Sequence, residues 1–371
     1  MNDLQIFFNY LNGKYPEVFG VSIDKVSLLG NWCYWNGKHP FQRLLNQIDT
    51  PISIHKGDKT PEIEGYIFDK IWFKTNDKKK FKNVRDFKLE FNPKRISSDE
   101  DIYLKENILP LLKNVGFTRL DFAFDVEADL ADYIYFDGNS PKKVGKYIGK
   151  NGKLETMYIG SKESEWHVCI YDKKKEKMKE LSKEERALAN GKEYDADLTD
   201  WEREQLRKRK HWWRIEIRVR REKADPEITE DELFQSLHIV KPCFSNEESI
   251  QDQALIFFLN HFPEKIEEMN YRPKKRAQSL LLNTTEFDLV SVLRLAYAQH
   301  IHELEIQLKD YLSSASLQAY EVEQIYTVDE KVAMKHGEEL DTEKLTFSSN
   351  FALRQYHKTI RNQDRTKDHQ K

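Results

Sequence analysis

The sequence predicts an α+β protein in which an antiparallel sheet carries helices on one face and is followed by a small helical C-terminal region. Three features predict this. TRLDFAFDV (118–126) and HWWRIEIRVRR (211–221) alternate apolar and charged residues with period two, the mark of half-buried strands. ETMYIGSKESEWHVCIYDKKKE reads as two strands joined by a polar Gly-Ser turn. Beyond about residue 230 the apolar spacing becomes helical.

In chain order, a short amphipathic helix is expected at Leu4–Leu11, then strand-like runs at Val21–Leu29, Gly65–Phe73 and Asp86–Phe91. A helix is expected over Tyr103–Val115, stopped near Gly116, with a strand directly after it. In that strand Leu120, Phe122, Phe124 and Val126 share one face and Arg119, Asp121 and Asp125 the other, with Ala123 between the carboxylates. Strands Glu155–Ile159 and Trp166–Tyr171 lead into helix-forming, charged residues from Lys173 to Arg209, with a turn at Asn190–Gly191 and a new start near Thr199–Asp200. In the next strand Trp213, Ile215, Ile217 and Val219 oppose Arg214, Glu216, Arg218 and Arg220. Asp225–Pro226 ends it. Helices are expected at Ile250–His261, Phe287–Leu312 and Ser316–Tyr326, linked by a stretch containing RPKKR. The resulting domains are 1–228, β-rich with its motif core at 115–225, a helical 229–345, and a disordered tail at 346–371.

With 39% hydrophobic and 12% aromatic residues, the chain has enough apolar material for one large or two ordinary domains. No window approaches 18 uncharged apolar residues, and MNDLQIFFNYLNGKYP has neither a basic n-region nor a small-residue cleavage site. A cytoplasmic protein without membrane partners is therefore expected. Cys33, Cys169 and Cys243 lie far apart with no CxxC spacing, so they are read as reduced and structural. The net charge of −3 hides a strong asymmetry: Arg203–Lys223 carries ten Lys or Arg against three Glu, whereas Glu321–Glu343 is largely acidic. A local basic field attracts phosphate whatever the net charge; on charge alone a solvated surface explains it equally well. RPKKR (272–276) and DKKKFK (77–82) are better read as exposed basic loops than as phosphate contacts.

Carboxylates gathered on a water-facing sheet surface repel one another unless a cation is present. Neighbouring strands lie about 4.8 Å apart, so Asp121 and Glu216 are the favoured metal ligands if their strands pair, with Glu155 and Asp125 as weaker candidates. Asp121 and Asp125 are roughly 13 Å apart along one strand, too far to share a small ion. Oxygen-only ligands suit Mg2+ or Mn2+. The competing reading is a surface ion lattice with Arg119, Arg214 and Arg218. Tyr171 ends a strand in CIYDKKKEK, where Lys173 and Lys174 supply the positive charge a phenol needs to act as a nucleophile. As one of 17 tyrosines it is not singled out by this alone.

TRLDFAFDVE, ETMYIGSKES, IYDKKKE and WWRIEIRVRR, in that order and at these intervals, resemble the replication initiation factor family, the trans-acting rolling-circle initiators of plasmids and phages and related conjugative relaxases. The resemblance covers about 115–225. It implies a metal-dependent tyrosine nickase and ligase acting at origin DNA, a host helicase that unwinds from the nick, and often a homodimer. It places the nucleophile at Tyr171, with Tyr158 as the fallback, and the acidic residues of the family's segments at Asp121 and Glu216. Arg119, Lys173, Lys174, Arg214 and Arg218 are the expected DNA contacts. A Cys stands two places before Tyr171, where a basic residue is expected, and a long helical insertion follows. The alternatives are a conjugative relaxase with the same chemistry and a DNA-binding regulator that does not cleave. His300-Ile301-His302, followed by Tyr311 and Tyr320, matches the metal motif of another nickase class, but its helical surroundings put the two histidines on different sides.

Overall fold

The computed structural model describes residues 10, 12–32, 52–56, 62–76, 85, 87–138, 143–192, 194, 198–220, 227–242, 249–262 and 265–325. Nearly all of the expected helix Leu4–Leu11, the DKKKFK stretch, Cys33, Cys243, Asp225–Pro226 and the tail from 346 lie outside these residues.

The strands are β1 (Glu17–Trp32), β2 (Ile52–Lys56), β3 (Glu62–Ile67), β4 (Ile71–Asn76), β5 (Phe87–Phe91), β6 (Leu112–Glu127), β7 (Ile134–Asp137), β8 (Val144–Ile148), β9 (Leu154–Ile159), β10 (Trp166–Asp172), β11 (Trp213–Val219), β12 (Leu237–Pro242) and β13 (Thr285–Asp288). The α-helices are α1 (Ser98–Tyr103), α2 (Lys173–Ala189), α3 (Asp200–Lys208), α4 (Glu230–Phe234), α5 (Ile250–His261), α6 (Lys265–Glu268), α7 (Tyr271–Thr284) and α8 (Leu289–Ile325). They fall into two units interleaved along the chain: 1–24, 119–221 and 227–304 form one, and 25–118, 222–226 and 305–371 the other. Among the described residues no helix is long and apolar enough to cross a membrane.

In the first unit β1, β6, β11, β10, β9 and β8 lie side by side in that order, antiparallel from β6 to β8. The period-two alternation sorts the side chains as expected. Leu120, Phe122, Phe124, Val168, Ile170, Ile215 and Ile217 form a buried apolar face. Helices α4 and α8 close over it through Phe234 and Tyr297, whose rings lie 5.5 Å from Phe124 and 5.7 Å from Phe122. Such aromatic pairs each contribute about 0.5–1.5 kcal/mol beyond area burial. Helices reach the charged face as well: Trp201 of α3 packs edge-on against Trp212 at 5.6 Å, and the Trp212 indole donates to Asp125 Oδ1 at 2.7 Å. That end of the charged face is thus roofed rather than open to water.

Both helices of the charged insertion are capped at their N-termini: Asp172 accepts from Lys175 N–H, and Thr199, where the sequence suggests a helix start, forms a capping box with Glu202. Lys177 of α2 and Glu202 of α3 pair at 2.8 Å with side chains 4% and 8% exposed. Losing one partner of a buried pair strands the other charge and costs about 3–5 kcal/mol. Lys177→Met is therefore expected to lower the unfolding free energy by about that amount, which a urea titration reads directly.

The C-terminal region is not purely helical. A three-stranded sheet, β13-β12-β7, backs α5, α6 and α7 through Ile134, Phe136, Val240, Leu259, Ile266, Ala277 and Leu281. Strands of four to six residues that pair only with distant parts of the chain, β12 with β7 and β13 with β12, carry little local signal, and this hid β12 and β13 from the periodicity. RPKKR opens α7, with Pro273 tolerated in its first turn, and is not a linker. The two expected helices Phe287–Leu312 and Ser316–Tyr326 form one continuous helix, α8.

In the second unit β2, β3, β4, β5 and the later part of β1 form an antiparallel meander. The run Gly65–Phe73 is a hairpin rather than one strand. Phe68 and Asp69 both take φ +56°, and Lys70 N–H donates to the Ile67 carbonyl at 3.2 Å. Asp69 is at home in such a turn, but Phe68 is not the Gly, Asn or Asp that normally betrays one. Packing of the Phe68 ring against Tyr103 at 5.3 Å holds the strained position. The helix expected over Tyr103–Val115 ends early: α1 passes into a π turn (Leu104–Ile108) and a 3-10 turn (Leu109–Leu111), and β6 starts at Leu112. Pro110 has no N–H to continue the helical ladder, which explains the break.

Candidate active site

Register aligns the polar side chains of the first unit in rows across the sheet. Directly paired residues project to the same side, so each row is a set of neighbours on the charged face. The first row is Asp125 (β6), Arg214 (β11), Tyr171 (β10) and Thr156 (β9). The second is Ala123, Glu216, Cys169 and Tyr158, and the third Asp121, Arg218 and His167. Three stretches far apart in the sequence therefore converge on one patch, as the predicted strand pairing requires.

Row one provides the frame. Arg214 donates to both Asp125 oxygens, at 2.8 and 2.9 Å, and to Asp24 Oδ1 at 3.2 Å. Asp125 is fully buried and Arg214 is 5% exposed. A Cβ at Gly20 of β1 would lie 3.0 Å from Asp125 Oδ2, so the glycine makes room for the carboxylate. Buried and doubly paired, Arg214 holds the strands together and does not reach out to a phosphate, contrary to the sequence expectation.

Row two meets row one at the phenol. Tyr171 Oη donates to Glu216 Oε1 at 2.7 Å and accepts from Lys173 Nζ at 3.1 Å, and the same ammonium lies 5.2 Å from the ring centroid. Lys173 is the first residue of α2, so the strand-to-helix transition aims its side chain back at the phenol. Burial, and next the charge of Asp24, push the Glu216 carboxyl well above the usual carboxylate range. Burial, then the charge of Glu216, push the Tyr171 phenol far above its ordinary value. At neutral pH the phenol is protonated, with its proton directed at the one carboxylate best placed to take it. Burial and the Glu216 charge also push the Cys169 thiol up to about 12, so Cys169 stays an inert thiol.

Row three is an ion lattice. Arg119 holds both oxygens of Asp121, one at 2.7 Å, and Arg218 Nε lies 3.3 Å from each. Glu155 stands on the opposite pleat from Tyr171, paired with Lys175, in a cleft of about 390 Å³ that also contains Lys153, Asp172 and Trp213. Lys174 Nζ donates to the backbone carbonyls of Arg209 and Lys210, a structural tie that spends the expected DNA contact.

Asp121, Glu216 and Glu155 therefore do not form one ligand set: two are neutralised by Arg and Lys side chains, and the third is hydrogen-bonded to Tyr171. Among the described residues no three His, Cys, Asp or Glu side chains gather closely enough to hold a metal. Tyr158 shares the patch one row from Tyr171, with its ring stacked 5.9 Å from His167. The sequence reading missed Asp24. Its signal was available, a lone carboxylate inside the apolar run Val21–Leu29, the logic that singled out Asp121 and Asp125. His300 and His302 lie within α8, the helical setting that discounts them.

Residues 66–112 match the family described as replication initiation protein, N-terminal, of the RepD-like type. Three proteins of Staphylococcus aureus, each named replication initiation protein, are similar to this chain. One is 33% identical over 225 residues, 61% of this chain and 63% of its own length, so more than a third of that relative lies outside the match. Another is 30% identical over 297 residues, 78% of this chain and 83% of its own. The third is 27% identical over 308 residues, covering 81% and 87%. Among solved structures, a rolling circle replication initiator protein from Geobacillus stearothermophilus shares 13% identity and a TM-score of 0.33 over 67% of this chain and 97% of its own, too low a score to establish a shared fold. The relatives that align along most of their length bear out the resemblance drawn from the motifs: the chain belongs to the replication initiation protein family.

Proposed function

We propose that the protein initiates rolling-circle replication by cutting one strand of origin DNA with Tyr171. The observation that carries this is the contact of Tyr171 Oη with Glu216 at 2.7 Å and Lys173 at 3.1 Å. Glu216 takes the phenolic proton, and the Lys173 ammonium stabilises the phenolate as it forms. The phenolate oxygen bonds to phosphorus, the bond from phosphorus to the 3′ oxygen breaks, and that oxygen takes a proton from water to become a free 3′ hydroxyl. The 5′ phosphate stays on Tyr171, and the reverse attack rejoins the strand. The 3′ hydroxyl is the primer. Arg119, Arg218 and Lys173 are the expected side chains that receive phosphate. A host helicase acting from the nick and a dimeric state belong to the same reading.

A divalent ion, Mg2+ or Mn2+, fits this patch in one place. Burial and the neighbouring charge of Asp24 raise the cost of ionising Glu216, the strain that a cation relieves, whereas Asp121 and Glu155 are held by Arg119 and Lys175. Glu216 and Asp24 are the residues that would hold it, with water completing the shell. When bound, the ion would polarise the scissile phosphate.

Incubation of the protein with a labelled single-stranded origin oligonucleotide and Mn2+, followed by denaturing electrophoresis, should show a covalent adduct that EDTA prevents. An oligonucleotide bound tightly but never linked would instead favour a regulator that has kept the fold without the chemistry.

A further inference from the structure

The charged face continues past Tyr171 to the sheet edge. β8 pairs with β9 so that Tyr147 stands opposite Thr156 and Gly145 opposite Tyr158. Row one therefore runs Tyr171, Thr156, Tyr147, and row two runs Cys169, Tyr158, Gly145. Two aromatic rings beyond the nucleophile share its side of the sheet, and between them stand the small side chain of Thr156 and the glycine. A Cβ at Gly145 would meet only Tyr158, its ring at 3.8 Å, so the glycine sets no side chain of its own against that ring. His167 stacks on the Tyr158 ring and fixes it. Tyr147 is 62% exposed on the edge strand, so its ring is open to a ligand.

Charge indicates what that is. Arg218 pairs with His167 across the sheet and reaches the Lys162 carbonyl at 3.3 Å, and the charges of Arg218 and Lys162 both act on the His167 ring, so cationic residues border the rings on the row-three side. Rings for bases flanked by cations for the backbone form the pattern that holds single-stranded nucleic acid without reading its sequence. Two strand spacings put the Tyr147 backbone roughly 10 Å from that of Tyr171, the length of about three stacked nucleotides at 3.4 Å each.

On these grounds, and resting on the reading of Tyr171 as the strand-cutting residue, we infer that β8 and β9 form a platform for single-stranded DNA, on which Tyr147 and Tyr158 stack bases beside the scissile phosphate. The platform keeps the strand melted where the phosphodiester must meet the phenol. It also predicts a selectivity that a charged surface alone lacks, for single strands over duplex.

The test uses the full-length protein with a fluorescent (dT)20 strand and, separately, a 20-base-pair duplex. Stacking on one ring contributes about 1–3 kcal/mol per base, so Tyr147→Ala should weaken (dT)20 binding by about 5- to 150-fold, leave the duplex affinity unchanged, and be rescued by Tyr147→Trp. Unchanged (dT)20 affinity, a parallel loss on the duplex, or failure of the Trp variant to rescue overturns the platform. The two readings fail separately. A wild type that forms the DNA adduct while Tyr147→Ala binds (dT)20 normally refutes the platform alone. A wild type whose (dT)20 binding depends on Tyr147 but which forms no adduct refutes the cutting reading alone.

Discussion

Tyr171→Phe is expected to lose the covalent protein–DNA adduct by at least about a thousandfold while still binding origin DNA, because it removes the attacking oxygen and nothing that faces the nucleic acid. The ring is retained, so its packing and its contact with the Lys173 ammonium persist. What disappears is the hydrogen bond to Glu216, which leaves that half-buried carboxylate one donor short and costs about 1 kcal/mol of stability. A variant that unfolded would lose binding and adduct together; the account requires them to separate. Gel-resolved adduct formation and filter binding on the same preparation measure both.

Glu216→Gln is the second large effect. Glutamine keeps the size of the side chain and can still accept from the phenol, but it cannot take the proton away. General-base removal typically costs about 10²- to 10⁴-fold, so strand cutting should fall within that range with DNA affinity nearly unchanged. The same substitution removes one of the two carboxylates proposed to hold a divalent ion, so the metal concentration needed for half-maximal cutting should rise as well. A Glu216→Gln protein that cuts at the wild-type rate would exclude both roles and leave the hydrogen bond a purely structural one.

Much of this patch is legible in the sequence, and the reason is periodicity. In TRLDFAFDV and WWRIEIRVR a strict alternation assigns every side chain to a face, and once the strands pair, the face that holds Asp121 must also hold Glu216 and Tyr171. What periodicity does not fix is register along the strands. Asp121 falls opposite Arg218 and Glu216 opposite Ala123, so the two acids end up one row apart, and each finds a different partner. A shift of two residues would have left every apolar side chain on its face and brought the acids together, and nothing local in the sequence chooses between the two arrangements. The same limit hides Asp24, whose place beside Arg214 depends on a strand that arrives from 190 residues upstream. Lys174 and Arg214 illustrate a third limit. Their charge makes them plausible phosphate ligands, yet one is consumed by backbone carbonyls and the other by a buried carboxylate. The non-local strands β12 and β13 and the Phe68-Asp69 turn escape for the same reason: tertiary contacts, not local preference, decide them.

The most direct test of the central claim is peptide mapping of the protein–DNA adduct. Denatured adduct, digested with nuclease and protease and sequenced by mass spectrometry, should carry the residual nucleotide on the peptide that contains Tyr171. A nucleotide found on Tyr158, or on any other residue, would contradict the assignment of Tyr171 and with it the roles given to Glu216 and Lys173.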